Sequence, residues 1–440
     1  MPVLYANDGF CLIYGREDGE IVKQVDVVVS GGGMVGLTLG LALAQGGLKT
    51  LVIDTAPVTR GVDPAFDGRV SALAYASVRM LTVLGVWPGL APHAQPITEI
   101  LVSDGALGRA ASPFSLHFDA QEVGHTSLGH IAENRHIRAA LYDAMAAAPN
   151  LELLAPAMIK TLVVDGTRAV ATLADGSQIG APLVIAAEGR QSRLRDQMGI
   201  QVIGWSYPQT GIVTTVEHDK PHNGVAYEHF LPSGPFAILP MTPASSSEAV
   251  GENKTNRSSL VWTEAKAKAP ALLALDQDGF NAELARRFGD HLGATRALGS
   301  RWSYPLSFHI ARDFVAPRFA LAGDCAHGIH PIAGQGLNLG LKDAAALAEV
   351  LLDAARLGQD IGALDVLNRY QRWRRFDSVA LAASTDALNR LFSNDIAPLR
   401  HLRDLGLGIV DAIGPARRFF MRHAGGDVGK LPRLMRGEVA

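Results

Sequence analysis

The feature that most constrains the fold is a glycine-rich turn between two short apolar runs near the start of the chain. Residues 25–30 form a β-branched run of strand length, residues 37–45 have a helical pattern, and residues 48–53 form a second apolar run that ends on Asp54. Between the first run and the helix lies G-x-G-x-x-G, at Gly31, Gly33 and Gly36. This order predicts a strand–helix–strand unit of a parallel sheet.

The same turn predicts a nucleotide site. In such turns the first glycine permits the tight bend, the second lets the backbone approach a pyrophosphate, and the third lets helix and strand pack closely. Asp54 follows Gly31 by 23 positions, close to the spacing of the acidic residue that binds ribose hydroxyls. The alternative is a glycine-rich turn that binds no ligand.

A second glycine-rich stretch lies late in the chain, at residues 319–343. It begins as an apolar strand, breaks at Gly323-Asp324, crosses a loop with one proline and several glycines, and enters a helical pattern at Leu337. A helix N-terminus offers unpaired N–H groups and the positive end of the helix dipole. Asp324 could accept hydrogen bonds from sugar-like hydroxyls. The stretch therefore predicts a site for a flat or anionic ligand.

A third strand end, after residues 183–187, carries Glu188-Gly189. A ligand that uses three such strand ends must be long, with a sugar-like chain between a pyrophosphate and a flat ring. FAD fits this description, with its adenosine and pyrophosphate at residues 31–54, its ribityl chain at Asp324 and its ring against residues 331–337. The helix dipole would favour negative charge on the reduced ring.

The remaining chain predicts an inserted domain and a helical end. Strand-like runs at residues 211–217, 225–231, 236–240 and 259–263 favour an antiparallel sheet, with a polar surface loop at 244–258. Helical spacing is found at 71–84 and 270–298, and from residue 363 onward. That last region is rich in arginine, which is typical of solvated helix faces; a peripheral membrane or partner surface is the alternative.

Composition excludes several classes of protein. The net charge is −3 with no basic excess, which argues against nucleic-acid binding. Two cysteines imply no disulfide framework, no apolar run reaches the length of a membrane span, and the first residues lack a signal-peptide pattern. We therefore expect a cytoplasmic protein, in peripheral contact with the membrane if the arginine-rich region serves that purpose. No spacing of histidine, cysteine and carboxylate side chains suggests a metal.

Three motifs together resemble a known family. Gly31-x-Gly-x-x-Gly36, Glu188-Gly189 and Gly323-Asp-Cys-Ala-His-x-x-x-Pro-x-x-Gly-Gln-Gly-x-Asn338 are similar to the motifs of FAD-dependent aromatic hydroxylases of the para-hydroxybenzoate hydroxylase type. The amino-acid sequences of residues 330–343, 234–240, 259–262 and 385–392 resemble those of the ubiquinone-biosynthesis branch of that family. The resemblance covers residues 25 to 425.

The resemblance implies an α/β fold, in which a doubly wound, Rossmann-like FAD-binding domain carries an inserted α+β substrate domain on an antiparallel sheet, followed by a helical C-terminal region. The predicted divisions are an N-terminal extension (1–23), FAD-binding parts (24–97, 127–200 and 304–355), substrate-domain parts (98–126 and 201–303) and the C-terminal helical region (356–440).

The implied activity is hydroxylation of an aromatic ring with FAD, NADPH or NADH, and O₂, through a flavin C4a-hydroperoxide. The branch implies a polyprenylated phenol of ubiquinone biosynthesis as substrate. Since the flavin carries the chemistry, no catalytic side chain is assigned. Two alternatives stay open: a flavin monooxygenase for a soluble aromatic or alkene, and a non-catalytic flavin-binding scaffold of a biosynthetic complex.

The resemblance also implies site residues. The cofactor-binding set is Gly31, Gly33, Gly36, Asp54, Arg69, Arg135, Glu188, Asp324, Pro331, Gly334, Gly336, Leu337 and Asn338. The residues expected to line a hydrophobic substrate site are Phe236, Leu239 and Pro240. Glu188 stands where the family usually has aspartate, and Asp54 where it often has glutamate.

Three side chains of the late loop have reactive groups. We interpret Cys325 as a small packing residue rather than a covalent anchor or redox thiol. We interpret His327 and His330 as residues that hold the loop rather than as general bases.

Overall fold

Short strands alternate with helices in the first half of the chain, and long strands follow in its middle. The computed structural model describes residues 3–5, 11–12, 21–58, 69–105, 115–243, 256–393, 421, 425–426 and 429–440. The strands are β1 (Val3–Tyr5), β2 (Cys11–Leu12), β3 (Ile21–Gln24), β4 (Val27–Ser30), β5 (Thr50–Ile53), β6 (Val70–Ala74), β7 (Ala94–Ile97), β8 (Glu99–Asp104), β9 (Ser115–Asp119), β10 (Gly129–Glu133), β11 (Leu151–Ala155), β12 (Ile159–Asp165), β13 (Arg168–Leu173), β14 (Gln178–Ala181), β15 (Leu183–Ala186), β16 (Val202–His218), β17 (Val225–Leu231), β18 (Gly234–Pro240), β19 (Asn256–Ala265), β20 (Thr295–Ala311), β21 (Val315–Ala316), β22 (Phe319–Leu321) and β23 (His327–Gly328). The helices are α1 (Met34–Gln45), α2 (Tyr75–Val83), α3 (Trp87–Leu90), α4 (Asn134–Met145), α5 (Arg193–Gln197), α6 (Ala269–Leu273), α7 (Gln277–Phe288), α8 (Gln335–Arg356), α9 (Leu364–Phe392) and α10 (Arg433–Arg436).

The first large sheet has the order β2-β1-β11-β5-β4-β15-β22-β21. Its five central strands, β11 to β22, run parallel. Strands β4, β5 and β15 are apolar and buried at almost every position, as expected for parallel strands covered on both faces. Helix α1 packs against α8, and both belong to the main core. The doubly wound α/β prediction is confirmed.

The second large sheet has the order β23-β20-β16-β19-β18-β17-β8-β9. Its pairs are antiparallel except for β17 and β8, which run parallel. One face packs on α6 and α7 through a second core that contains Phe236, Trp262 and Phe280. The other face lines a cavity, described below. Two smaller sheets have the orders β6-β10-β7 and β12-β13-β14-β3.

Several local predictions are corrected by tertiary pairing. The helix predicted at 71–84 begins only at Tyr75, because residues 70–74 form β6 and pair with β10. The helix predicted at 270–298 is divided into α6 and α7, and from Thr295 the chain is strand β20. Strand β20 stays in the second sheet to Ala311, past the boundary predicted at 304. The predicted extension contributes β1, β2 and most of β3 to sheets. Most of the polar loop at 244–258 and residues 394–420 lie outside the described residues.

A buried ionic network joins the late glycine-rich loop to the helices behind it. Asp343 on α8 is fully buried, and its Oδ2 accepts a hydrogen bond from the backbone N–H of Gly323 at 3.1 Å. The same oxygen lies 2.5 Å from His327 Nε2. Its Oδ1 accepts a hydrogen bond from Nε of Arg374 on α9 at 2.8 Å, and Arg374 is also fully buried. One carboxylate therefore fixes the strand-end turn, the loop and two helices relative to one another.

Replacement of Asp343 should destabilise the fold. At neutral pH we expect Asp343→Asn to lower the free energy of unfolding by about 3 kcal/mol, because the fully buried Arg374 would lose its buried carboxylate partner and keep only the half-exposed Asp377. Denaturant titration measures this difference. The matched control is Asp353→Asn on the same helix, whose half-exposed carboxylate pairs with arginine at the surface and should contribute about 0–1 kcal/mol.

The cost of Asp343→Asn should also depend on pH. Burial alone would raise the pKa of Asp343, but the charges of His327 and Arg374 and their hydrogen bonds bring that pKa below its ordinary value. The stabilisation is therefore complete above the unfolded pKa of about 3.9 and is lost as pH falls through the lower folded pKa. The difference between wild type and variant should shrink across that acidic range. A difference that stays constant there would contradict an ionised Asp343.

Candidate functional site

The three predicted turns meet at one edge of the first sheet. Strands β4, β15 and β22 are neighbours, with Ser30 opposite Ala186 and Ala186 opposite Leu321. The residues that follow these strands therefore share the carboxyl edge, where open α/β sheets bind their ligands. Parts of the chain almost 300 residues apart are brought together in this way.

The glycines of the first turn have different surroundings. Gly31 has a φ of +113°, and a Cβ there would lie 2.3 Å from the carbonyl oxygen of Ala187. A Cβ on Gly36 would lie 1.9 Å from the carbonyl oxygen of Gly31. A Cβ on Gly33 would meet no atom within 4 Å. Gly31 and Gly36 thus serve close packing, whereas Gly33 borders open space.

That open space is a cavity of about 1550 Å³ between the first sheet and the second. Pockets for single small ligands usually measure about 300–1,000 Å³, so this cavity has room for part of a large cofactor and a second molecule. The predicted site residues that line it are Gly33, Arg69, Asp324, Pro331, Gly334, Gly336, Leu337, Asn338 and Leu239.

Two helix N-termini open into the cavity. Helix α1 begins after Gly33 and helix α8 begins after Gly334, and neither glycine provides a side-chain cap. Residues 33–35 and 334–338 line the cavity, and a Cβ on Gly336, like one on Gly33, would meet no atom within 4 Å. Uncapped N–H groups and the positive dipole ends suit anionic groups. The residues present therefore fit FAD, which carries an anionic pyrophosphate and an electron-rich ring.

Glu188 and Asp54 do not line the cavity. The Glu188 carboxylate accepts hydrogen bonds from Ser30 Oγ at 2.7 Å, Ser192 Oγ at 2.8 Å and the Leu194 N–H at 3.3 Å. It therefore ties β4 to the start of α5. Asp54 accepts hydrogen bonds from the N–H groups of Gly32 and Ala56, the latter at 2.7 Å, and so lies directly against the first turn.

Arg135 is also held away from the cavity. Its Nε donates to Glu133 at 2.7 Å, and Glu133 also accepts a hydrogen bond from Arg257 on β19 at 2.8 Å. All three side chains are buried. This network joins the start of α4 to the second sheet. The neighbouring Asn134, together with Arg69, lines the cavity instead.

The predicted substrate walls are partly wrong. Leu239 lines the cavity, as do Pro235 and Ala237 of the same strand. Phe236 and Pro240 are absent from the cavity wall; Phe236 is fully buried on the opposite face, where its ring lies 5.7 Å from that of Trp262. Successive side chains of a strand alternate between its faces, so residues 236 and 239 cannot share one face of β18.

Of the three reactive side chains of the late loop, Cys325 and His327 are hydrogen-bonded, whereas both ring nitrogens of the buried His330 lack a partner among the described residues. Cys325 Sγ accepts a hydrogen bond from the Glu188 N–H at 2.9 Å and donates to the Gly189 carbonyl at 3.3 Å. Burial raises the pKa of the Cys325 thiol to about 12, so it stays protonated. His330 is fully buried, and burial lowers its pKa to about 4. His327 is bound to Asp343, as described above.

Asn338 connects α8 to the opposite wall of the cavity. Its Oδ1 accepts hydrogen bonds from the Ala74 N–H and from Ser77 Oγ, both at 2.9 Å, and its Nδ2 donates to the Ala72 carbonyl at 2.8 Å. The side chain is therefore used for structure, which leaves the backbone of this segment to face the cavity.

Arg190 is a site residue that the sequence analysis did not select. It lines the cavity, and it donates hydrogen bonds to Asp324 at 3.3 Å, the Ser307 carbonyl at 2.9 Å and the Ile329 carbonyl at 3.2 Å. Arg190 therefore joins the turn at Glu188-Gly189, the late loop and β20. In the sequence, the position of Arg190 directly after Glu188-Gly189, at a strand end, could have indicated a residue of the site.

Comparison with known proteins identifies similar chains. Residues 24–380 match the family described as FAD binding domain. The ubiquinone hydroxylase UbiL of Rhodospirillum rubrum is 48% identical over 96% of this chain and 95% of that protein. The 3-demethoxyubiquinol 3-hydroxylase of Escherichia coli is 34% identical over 91% of this chain and 98% of that protein.

Solved structures share the fold. The crystal structure of p-nitrophenol 4-monooxygenase from Pseudomonas putida aligns with a TM-score of 0.73, over 93% of this chain and 100% of that chain. Its sequence identity is 19%, so this likeness concerns the fold alone.

The contrast between Gly33 and Gly36 gives a matched pair of variants. Gly33→Ala should fold normally, because its Cβ meets no protein atom, but should weaken FAD binding roughly tenfold or more, about 1.4 kcal/mol, by obstructing the approach of the pyrophosphate. Gly36→Ala should lower the melting temperature of the apoprotein because its Cβ would overlap the Gly31 carbonyl. Fluorescence titration of FAD and thermal unfolding measure the two effects. Unchanged FAD affinity in Gly33→Ala would contradict this site.

Proposed function

The chain belongs to the FAD-dependent aromatic hydroxylases, in the branch of ubiquinone biosynthesis, and we propose that it uses NAD(P)H and O₂ to hydroxylate the ring of a polyprenylated phenol. The observation that carries this proposal is the shared cavity. Its one end has two uncapped helix N-termini, and its other end is the apolar face of the second sheet. A cofactor and a hydrophobic aromatic molecule would therefore bind next to each other in one cavity.

The cofactor end is assigned as follows. Gly33 and the N–H groups of α1 would bind the pyrophosphate, with Arg69 beside it, and Asp54 would bind the adenosine ribose next to the turn. Asp324, held by Arg190, would bind the ribityl chain. The backbone of residues 331–338 would lie along the ring, and the α8 dipole would stabilise negative charge on it. Gly31, Gly36 and Glu188 would act indirectly by shaping these turns, as would Asn338 through its side chain.

When bound, FAD would supply the redox chemistry, the transfer of electrons from NAD(P)H to O₂. The chain's own residues orient the substrate and exclude water. Residues such as Val102, Phe118, Ala237, Leu239 and Val261 make the substrate end apolar. A dry, shaped wall of this kind holds a ring in one orientation and protects reactive species from solvent.

Reduction of bound flavin tests the enzymatic assignment. Purified protein should be yellow, and under anaerobic conditions NADH or NADPH should bleach the flavin absorption band. With air and a prenylated phenol, NAD(P)H oxidation should yield a product one oxygen heavier by mass. Flavin that is bound but never reduced would favour the scaffold. Equal turnover of soluble phenols would favour the soluble-substrate alternative.

We also infer contact with the membrane surface where a prenylated substrate would reside. No helix in the described part of the chain is long and apolar enough to cross a membrane. On α9, however, Phe376 is 78% exposed and Val379 is 44% exposed. Arg372, one turn before Phe376, and the adjacent Arg375 are exposed as well. Arg374 is fully buried with Asp343 and is not part of such a surface, and Arg400, Arg403, Arg417 and Arg418 lie outside the described residues.

Binding to lipid vesicles tests this contact. The protein should sediment with vesicles of phosphatidylcholine and phosphatidylglycerol, and Phe376→Asp should reduce the bound fraction several-fold, because it removes an apolar anchor and adds a repelled charge. The control is Val163→Asp on β12, which changes a similarly exposed valine elsewhere and should bind as wild type does. Equal loss in both variants would contradict a specific surface on α9.

A further inference from the structure

One carboxyl group interrupts the apolar wall of the cavity. Ala226, Tyr227, Glu228 and Phe230 of β17 all border the cavity, and strand alternation places the side chains of Ala226, Glu228 and Phe230 on one face. The ring of the alternate residue Tyr227 contacts that of His291 in a tilted arrangement, with 4.5 Å between ring centroids. Strand geometry therefore directs the Glu228 side chain toward the substrate end of the cavity.

The residues beside Glu228 on the sheet are apolar. In the strand register, Glu228 lies opposite Val102 of β8 on one side and Ala237 of β18 on the other. Ala237 in turn lies opposite Val261 of β19. Val102, Ala237 and Val261 also line the cavity. The carboxyl group is thus embedded in a row of aliphatic side chains.

No partner for this carboxyl group is found among the described residues, in hydrogen bonds or in ion pairs. Glu228 is half-buried, and a carboxyl group in apolar surroundings costs free energy unless a hydrogen bond compensates it. Burial also raises the pKa of Glu228 to about 7, with no neighbouring charge as a cause. The fold accepts a destabilising residue here, which is typical of groups that bind a ligand.

We propose that Glu228 is a substrate-binding residue, whose carboxyl group hydrogen-bonds the phenolic hydroxyl of the aromatic substrate and so fixes the ring in one orientation within the cavity. This inference rests on the proposed function, since it assumes an aromatic ring at this end. Other polar groups of the cavity wall include the hydroxyls of Ser259 and Thr263 on the second sheet, and both are also without hydrogen-bond partners among the described residues. They differ from Glu228 in that they cannot carry a charge.

A phenol is the ligand class that this wall selects. Apolar side chains suit the ring and its chain, and the carboxyl group of Glu228, when ionised a stronger acceptor than the hydroxyls of Ser259 and Thr263, suits a hydroxyl donor. A methyl ether of the same molecule fills the same space but has no proton to donate, and would leave the carboxyl group unpaired. Sites that hydrogen-bond a substrate hydroxyl reject analogues that lack it for this reason.

Calorimetric titration of a short-chain prenylated phenol and its methyl ether tests the inference. Wild type should bind the phenol roughly tenfold or more tightly than the ether. Glu228→Leu should bind both about equally, and Glu228→Gln, which keeps the size, should show a reduced preference. The control Glu217→Gln, whose carboxylate pairs with Arg296 outside the cavity, should keep the full preference. A preference retained in Glu228→Leu, or absent in wild type, would overturn the inference.

Thermal unfolding separates ligand binding from a structural role. Because Glu228 lacks a partner, Glu228→Leu should leave the melting temperature unchanged or raise it. A large decrease in both Glu228 variants would assign Glu228 to the fold and overturn the inference. Calorimetry needs no turnover, so a protein that prefers the phenol yet never oxidises NAD(P)H would contradict the proposed function and leave the role of Glu228 supported.

Discussion

The site depends on the buried charge of Asp343. Its carboxylate binds the N–H of Gly323, the ring of His327 and the guanidinium of Arg374 at once. These contacts hold the turn after β22 and the ring of His327 against α8, and they join α8 to α9. Water is excluded from this network, so the partners cannot be exchanged for solvent and each is needed to balance the others. The late loop, which has little regular structure of its own, is held in one shape against the cavity by this means.

The fold then combines two chemical environments that would not coexist in one element. The carboxyl edge of the parallel sheet supplies uncapped helix N-termini, which favour negative charge. The second sheet packs one face on α6 and α7, and the alternate residues of its strands supply an apolar face to the cavity. The packing of one sheet over the other creates the cavity, which has a polar end at the helix N-termini and an apolar end at the second sheet. An FAD-dependent hydroxylase of a prenylated ring requires this combination.

Features that depend on neighbouring residues could be predicted from the sequence, and features that depend on distant contacts could not. The strand–turn–helix at residues 27–45 and the turn at Gly323-Asp324 follow from local apolar patterns and glycine, and the structure confirms both elements. Three contacts join residues far apart in the chain, which no local pattern reveals. They are the pairing of β6 with β10, the ion pair of Arg374 with Asp343, and the hydrogen bond from Arg190 to Ser307.

Strand alternation shows how much of the substrate end was predictable. Alternation places Phe236 and Leu239 on opposite faces, a constraint that the predicted set of walls ignored. Alternation alone does not say which face is covered by α7 and which lines the cavity; Phe280 of α7 decides that by packing on Trp262, the cross-strand neighbour of Phe236. Glu228 could have been found as the one charged residue of its face, in phase with Ala226 and Phe230.

Isotope labelling tests the central claim most directly. Purified protein with FAD, NAD(P)H and a prenylated phenol is incubated under ¹⁸O₂ in ordinary water, and the mass of the ring product is determined. A hydroxylase that uses O₂ within this cavity will place one ¹⁸O atom in the new hydroxyl group. A product without the label, or NAD(P)H oxidation that yields only hydrogen peroxide from every phenol offered, would contradict the assignment.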